Sequence, residues 1–201
     1  MHGNVPPWPE QPPAAGSVRL RAFRAADVAM VRALATDPYV PLVMTVPAGA
    51  DEEEALAWIA RQHRRPAEGR GWSFCVADRD TDEALGQVGL WTPSGPLEAV
   101  RTGRAHLGYA ISPTARGRRA ATDAVRAVTG FGWSLPWLFR VEAYVEPDNT
   151  ASRRTVEAAG FAAEGLLRSH QPIGGTRRDM LLYALLRPAE PSGPPEPPGG
   201  R

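Results

Sequence analysis

The stretch from residue 108 to residue 124 constrains the fold more than any other part of the chain. Its apolar start reads as a strand, a loop with one glycine and three arginines follows, and the loop opens directly into an alanine-rich helix. The first backbone N–H groups of a helix are unpaired and carry the positive end of its dipole, so such a junction favours an anion. Arg116, Arg118 and Arg119 add planar guanidinium donors that fit phosphate oxygens. The junction therefore predicts a phosphate-binding site.

This loop departs from two well-known phosphate-loop patterns. It has no Gly-Lys-Ser/Thr ending, and it lacks the three spaced glycines of a dinucleotide fingerprint. The sequence therefore predicts a phosphate-bearing cofactor of a different kind.

A second motif occupies residues 146–161 and contains Asn149, which lies 25 residues after Ala124, then Ser152 and a final Gly-Phe. Together, the two segments resemble the Gcn5-related N-acetyltransferase (GNAT) superfamily, and within it the branch of ribosomal-protein-alanine N-acetyltransferases. The later motif of that branch, Asn-x-x-Ser-x-x-x-x-Glu-x-x-Gly-Phe, is matched at Asn149, Ser152, Glu157, Gly160 and Phe161. The loop motif is matched at Gly117, Ala121, Thr122 and Ala124, with Asp123 in the place of Glu. The resemblance covers residues 17–187.

The loop departs from the pattern of the branch at two positions. Thr114 stands where Arg or Gln is usual, and Arg119 replaces the second glycine. A side chain at position 119 either crowds the approach of a pyrophosphate to the backbone or supplies a positive charge to it. The sequence leaves both possibilities open.

The resemblance implies a mixed α/β fold in residues 17–187, with helices flanking a mostly antiparallel sheet that splays between two central strands. It also implies acetyl-coenzyme A as co-substrate, with no metal. The pantetheine arm would pair with the strand edge at Leu107–Ile111, where a backbone N–H of Ala110 or Ile111 would stabilise the oxyanion. The complete set of expected cofactor contacts is Ala110, Ile111, Arg116, Gly117, Arg118, Arg119, Ala120, Ala121, Asn149 and Arg153.

The hydrophobic periodicity independently predicts alternating helices and strands. The predicted helices are 25–35, one starting at Asp51, 122–133 and 150–159; the predicted strands are 72–77, 85–91, 106–111, 140–146, 161–169 and 178–186. Asn149 is expected to cap the last of these helices, and Gly174-Gly175 is expected to form the turn between the last two strands. Asp51 and Glu54 have the spacing of a capping box, and Leu56, Ile59 and His63 are expected on the inner face of that helix. The acidic run 51–54 has two interpretations, helix-start carboxylates or a site for a cationic acceptor.

Direct attack of an amine on a thioester requires two proton transfers. Many superfamily members protonate the thiolate with a tyrosine, but that position holds Val156 here, so Ser152 is the candidate acid. Its alternative role is a hydrogen bond at the helix start. For removal of the acceptor's proton, His106 and Glu142 are the candidates, with Glu146 as a third. Each of these also fits a packed or solvated residue on a strand.

Composition excludes several classes of function. The net charge is +1, with 23 basic residues, all arginine, against 22 acidic ones, which disfavours a nucleic-acid binder. No apolar run approaches the ~20 residues of a membrane span, and a signal-peptide pattern is missing, so the expected location is the cytoplasm. Four histidines and the lone Cys75 show no metal-ligand spacing, and Cys75 is expected to be a buried apolar residue.

Both ends of the chain are rich in proline. Residues 1–16 hold five prolines, and residues 188–201 hold six prolines and three glycines. Such segments lack the apolar content to offset the entropy of ordering, so both are predicted as disordered tails around one domain of residues 17–187.

The resemblance implies an enzyme that moves an acetyl group from acetyl-coenzyme A to a primary amine, on a protein N-terminus or on a small molecule, without an acyl-enzyme. The alternative is a non-catalytic acyl-coenzyme A sensor, which the missing tyrosine and the altered glycine allow. A monomer or a homodimer, without nucleic acid or membrane, is the expected state. The identity of the amine is not encoded in a pattern that we recognise.

Overall fold

The computed structural model describes residues 8–92 and 95–189. Within these residues the strands are β1 (Ala14–Ala15), β2 (Val18–Arg21), β3 (Trp72–Asp78), β4 (Ala84–Trp91), β5 (Arg104–Ile111), β6 (Arg140–Val145), β7 (Ala162–Ile173) and β8 (Thr176–Leu186). The helices are α1 (Val28–Ala35), α2 (Val40–Val43), α3 (Glu52–Arg64), α4 (Pro96–Thr102), α5 (Ala120–Trp133) and α6 (Thr150–Ala158). Short 3₁₀ turns at Ala25–Asp27 and Pro113–Ala115 complete the described part.

All strands of the described residues lie in one sheet, in the order β1-β2-β3-β4-β5-β6-β8-β7. Neighbouring strands are antiparallel except β5 and β6, which run parallel. The parallel pairing covers only Arg104–His106 of β5 against Arg140–Glu142 of β6. Beyond these residues β5 and β6 no longer pair with each other, although β5 stays paired with β4 and β6 with β8. The sheet therefore splays between β5 and β6, as predicted.

The two faces of the sheet carry separate apolar clusters. On one face, Val125 and Val128 of α5 pack with Leu107 and Val141 of the central strands. On the other face, α1 and α3 cover a second cluster that contains Trp58. Burial of both faces fits a sheet with helices on each side.

Local sequence signals set the ends of several elements as predicted. The Asp51 carboxylate accepts from the Glu54 N–H at 2.9 Å, and the Glu54 carboxylate accepts from the Asp51 N–H at 3.1 Å. These carboxylates therefore serve as helix caps. Gly174 and Gly175, with φ of +57° and +80°, form the two-residue turn between β7 and β8, because a hairpin of this type needs positive φ at both positions.

Two features differ from the sequence-based expectations. Residues 8–16 contain structure: Ala14–Ala15 pairs with β2, and the Trp8 ring lies 4.6 Å from that of Phe74. The N-terminal tail prediction is wrong for this part, because one tryptophan and a short strand find partners on the body. Residues 1–7 and 190–201 lie outside the described residues. The inner face of α3 is formed by Ala55, Trp58, Ile59 and Gln62, whereas Leu56 is 39% exposed.

Candidate active site

The loop between β5 and α5 presents unpaired backbone donors. Gly117 has φ of +80°, and an added Cβ would find open space there. The N–H groups of residues 117–122 have no hydrogen-bond partner in the described part of the chain, whereas the Asp123 N–H already bonds to Arg119 C=O at 3.1 Å. Ala120 and Ala121 are the first residues of α5. The loop and helix start thus form a concentrated set of donors at the positive end of a helix dipole.

The three loop arginines have different surroundings. Arg116 Nη2 lies 2.5 Å from the Asp37 carboxylate, and Arg116 Nε donates to Ile111 C=O at 3.1 Å. Burial raises the pKa of Asp37, but hydrogen bonds from Arg116 and backbone amides outweigh it and hold that pKa below its ordinary value. Arg116 therefore links the loop to the segment after α1, and its predicted phosphate contact stays a prediction. Arg118 and Arg119 are exposed and make no ion pair among the described residues.

Arg119 adopts the left-handed conformation, with φ of +61°. This explains why the related pattern has glycine here, since a left-handed backbone costs a side-chain-bearing residue about 1–2 kcal/mol. We expect Arg119→Gly to raise the free energy of unfolding by about 0.5–1 kcal/mol, because glycine's larger unfolded-state entropy offsets part of the relieved strain. Urea unfolding measures this, with Arg118→Gly as the control because Arg118 does not have positive φ. If the free energy of unfolding of Arg119→Gly were no higher than that of Arg118→Gly, the claim that the backbone at Arg119 is strained would be wrong.

The slot between β5 and β6 has free backbone groups along one wall. The Ser112 N–H donates to Leu85 C=O at 2.8 Å, and β4 and β5 pair without a register shift up to Ile111. Since the direction of backbone groups alternates along a strand, the N–H of Ala110 also points to β4 and that of Ile111 points into the slot. Ala110 is therefore excluded as an oxyanion donor by the sheet ladder. Of the two predicted donors, Ile111 has the required orientation.

The start of α6 closes the slot from the α5 face. Asn149 caps α6, because its Oδ1 accepts from the Ser152 N–H at 3.0 Å. The Ser152 hydroxyl lies 2.8 Å from the Tyr109 hydroxyl, which reaches across from β5. Asn149 thus provides the side-chain cap, and the Ser152 hydroxyl is left to pair with Tyr109. Val156, at the position where the superfamily has a tyrosine, is fully buried.

Tyr109 was not among the site residues predicted from the sequence. Burial raises its pKa, so the phenol stays protonated at neutral pH. A signal was available, because Tyr109 belongs to the strand that feeds the loop and its spacing from Ile111 puts both side chains on one face. Its partner on α6 is 43 residues away, however, and only the fold brings the two hydroxyls together.

The predicted base candidates meet on the opposite face of the sheet. Glu142 is 3% exposed and accepts from Arg140 Nε at 2.6 Å and from the Tyr144 hydroxyl at 2.8 Å. Burial raises the pKa of Glu142, but these hydrogen bonds outweigh it and the pKa lies below its ordinary value. A carboxylate so stabilised is a weak base, and the arrangement speaks against Glu142 in that role.

His106 differs from Glu142 in its electrostatics. Its Nε2 lies 3.6 Å from a Glu142 oxygen, yet burial outweighs this neighbour and lowers the pKa of His106. The imidazole is therefore neutral at pH 7 and can accept a proton. His106 pairs with Trp91 of β4 on one side and with Glu142 on the other, at the point where the slot begins.

Two other predicted site residues are engaged elsewhere. Glu146 accepts from the Tyr39 hydroxyl at 2.5 Å and lies 3.7 Å from Arg178. Arg153 donates to the Tyr183 hydroxyl at 3.4 Å and to Pro147 C=O at 3.3 Å. Its predicted contact with the phosphates stays a prediction, and these two contacts place the guanidinium near Tyr183 and Pro147 in the structure.

The described residues contain no group of three or more histidine, cysteine or acidic side chains placed to hold a metal ion. Cys75 is fully buried, and burial raises the pKa of its thiol. None of the helices that the structure describes combines the length and apolar character needed to cross a bilayer.

A splayed mixed sheet whose central strand leads into an anion-binding helix start defines the class of acyl-coenzyme A-dependent transferases. A family model described as Acetyltransferase (GNAT) domain matches residues 17–162. The chain belongs to this family, in its branch similar to the ribosomal-protein acetyltransferases, and is an N-acetyltransferase that uses acetyl-coenzyme A. The resemblance seen in the sequence is confirmed.

Individual relatives support this assignment. The chain is 29% identical over 168 residues to the uncharacterized N-acetyltransferase p20 of Bacillus licheniformis. The aligned residues cover 84% of this chain and 92% of the relative. It is 32% identical over 138 residues to the uncharacterized N-acetyltransferase YoaA of Bacillus subtilis, covering 69% and 75%. The solved structure of Mycobacterium smegmatis RimJ in complex with CoA-disulfide matches with a TM-score of 0.69 and 28% identity, over 88% of this chain and 84% of that one.

Proposed function

We propose that the protein transfers the acetyl group directly to a primary amine while donor and acceptor are bound together. One observation carries the proposal: the open edge of β5 and the free amides of residues 117–122 belong to one continuous strand-loop-helix unit. Such a unit holds the anion and the extended arm of a donor in one line. When the donor is fixed in this way, its reacting carbon is already positioned for the acceptor amine. The reaction then avoids much of the entropy cost of an unoriented encounter between the two molecules.

The residues fit coenzyme A in two regions. The amides of residues 117–121, with Arg118 and Arg119 beside them, suit the pyrophosphate because they are unpaired and lie at a helix start. The free backbone groups of β5 up to Ile111 suit the pantetheine amides, in the manner of an added strand. The Oδ1 of Asn149 caps α6 and its side chain also interacts with the Tyr39 hydroxyl, and in our proposal its Nδ2 donates to a pantetheine carbonyl. When bound, acetyl-coenzyme A supplies the activated acyl group.

Direct attack is supported by the burial of the cysteine thiol. Cys75 is the lone cysteine of the chain; it is fully buried on β3, and burial raises its pKa, so it is a poor thiolate. In our proposal the neutral His106 receives the proton of the acceptor amine. The Tyr109–Ser152 pair donates a proton to the departing sulfur, whose pKa as a free thiol is about 8.5.

The pH dependence of turnover tests the role of His106. With its pKa lowered, His106 is protonated only below the ordinary histidine range, so activity is present above this lowered pKa and is lost as the pH falls through it. We expect His106→Gln to reduce kcat/KM by about 100-fold and to remove this acidic limb. His63→Gln is the matched control, because His63 is exposed on α3 and its Nε2 hydrogen-bonds to Phe23 C=O at 2.9 Å. If the His106→Gln variant kept the same loss of activity at low pH, a residue other than His106 would be the base.

The proposed function is tested by thioester turnover with a panel of amines that includes peptides with free N-termini and small molecules. Release of free thiol and mass spectrometry of the acceptor report the reaction together. Acetylated product from either class supports transfer to an amine. Coenzyme A binding without product from any amine would contradict it and favour the acyl-coenzyme A sensor.

A further inference from the structure

A pocket of about 560 Å³ opens beside the slot, on the face of the sheet that α1 and α3 cover. Its walls include Met44 after α2, Arg65 at the end of α3, and Gln87 and Trp91 of β4. Trp91 connects the pocket to β5, because its indole packs against Gly108 of that strand: a Cβ at Gly108 would lie 2.4 Å from Trp91 Cζ3. The pocket and the open strand edge of β5 are therefore adjacent.

The charges around this pocket are unbalanced. Glu68 is shared by Arg64 at 3.6 Å and Arg70 at 3.5 Å. Arg65 has no acidic group within 4.0 Å among the described residues, although its guanidinium lies 5.7 Å above the Trp91 ring. Burial, followed by the neighbouring Arg70, lowers the pKa of Arg65. Glu68 also lines the pocket and by itself would raise the pKa of Arg65, but Arg65 and Arg70 of the lining outnumber it. The net positive charge of the lining favours an anion.

Trp91 gives a second, independent sign of a ligand. It lines the pocket, and its indole Nε1 is buried without a hydrogen-bond partner among the described residues. Gln87, which also lines the pocket, is only 1% exposed. Buried polar groups normally have a partner, and one that lacks it is expected to meet a ligand or water. Gln87 pairs with Ala110 across the sheet, so its amide lies one strand away from the slot.

We propose that this pocket binds the acceptor and that the acceptor carries an anionic group, a carboxylate or a phosphate, beside its amine. The inference rests on the proposed amine acetylation and adds the chemical class of the amine to it. Arg65 binds the anionic oxygens through its guanidinium fork, Gln87 binds a neutral polar group, and Trp91 supplies a flat apolar wall. A polycation is disfavoured at this site because Arg65 and Arg70 repel it.

The test uses pairs of amines that differ in the anionic group alone, namely tyrosine with tyramine and phosphoethanolamine with ethanolamine, and spermidine as a polycation. We expect the anionic member of at least one pair to have a KM lower by about 10–100-fold, as a charge-assisted hydrogen bond predicts. Arg65→Gln should reduce this ratio towards one. Arg61→Gln should keep it, since Arg61 lies on the same helix, is exposed and does not line the pocket. The two pairs separate carboxylate from phosphate.

Calorimetry of the anionic amines without acetyl-coenzyme A gives a readout that does not depend on turnover. Binding by the wild type that is lost in both Arg65→Gln and Gln87→Leu supports the pocket. Efficient acetylation with equal KM within every pair would overturn the anionic class while leaving amine acetylation intact. Failure of the proposed function is distinct, because no amine would then be acetylated at all.

Discussion

Gly117→Asp is expected to raise the dissociation constant of coenzyme A by about 100-fold or more. A carboxylate about 5 Å from a phosphate charge is repelled by about 3 kcal/mol at an effective dielectric constant of about 20, and this energy corresponds to that change in affinity. Gly117 is exposed and an added Cβ meets open space, so the new side chain does not disturb the core. Calorimetric titration of coenzyme A measures the effect.

Two variants separate the charge at position 117 from its backbone strain. Gly117 has φ of +80°, so any side chain there is strained, and Gly117→Ala introduces the strain without the charge. Gly49→Asp places the same carboxylate at another exposed glycine with open space and φ of +65°, between α2 and α3. We expect Gly117→Ala to weaken binding only modestly and Gly49→Asp to leave it unchanged. Normal affinity in Gly117→Asp would remove the loop from the site.

Ser152→Ala and Tyr109→Phe are each expected to lower kcat by about 10–100-fold while changing the affinity for coenzyme A little. Their hydroxyls lie 2.8 Å apart, and in our proposal they protonate the leaving thiolate as one unit. General acid catalysis contributes about 100-fold or more, and residues that act together lose most of their effect at the first removal. The double variant should therefore be scarcely slower than either single one.

Steady-state kinetics with a product-detecting assay measures these effects. Ser134→Ala serves as the control, because it removes a hydroxyl that bonds to Phe131 C=O at 2.7 Å at the end of α5. This change should leave kcat unaffected. Independent, multiplying losses in the Ser152 and Tyr109 variants, or a loss of affinity equal to the loss of kcat, would contradict a shared proton-donating role.

The elements with strong local signals were predictable from the sequence. The Asp51–Glu54 capping box, the Gly174–Gly175 turn and the helix cap at Asn149 depend on residues three positions apart or fewer, so pattern alone finds them. The short helices α2 and α4 and the strand β1 were missed. Segments of two to seven residues carry too little periodicity, and their stability comes from contacts with the body.

The candidate site was predictable in outline but not in detail. The motifs located the loop, Asn149 and Ser152, whereas the partner of Arg116 is 79 residues away and that of Tyr109 is 43 residues away. Ala110 and Ile111 are equivalent in the sequence, and only the ladder with β4 distinguishes their N–H directions. The pocket of Arg65, Gln87 and Trp91 joins helix and sheet residues that share no motif. Tertiary contacts, not local patterns, decide these points.

A crystal structure of the complex with acetyl-coenzyme A tests the central claim most directly. We predict the pyrophosphate on the backbone amides of residues 117–121 and the pantetheine arm along the free edge of β5, between that strand and β6. A nucleotide bound elsewhere, with this loop and slot empty at saturating concentration, would contradict the account.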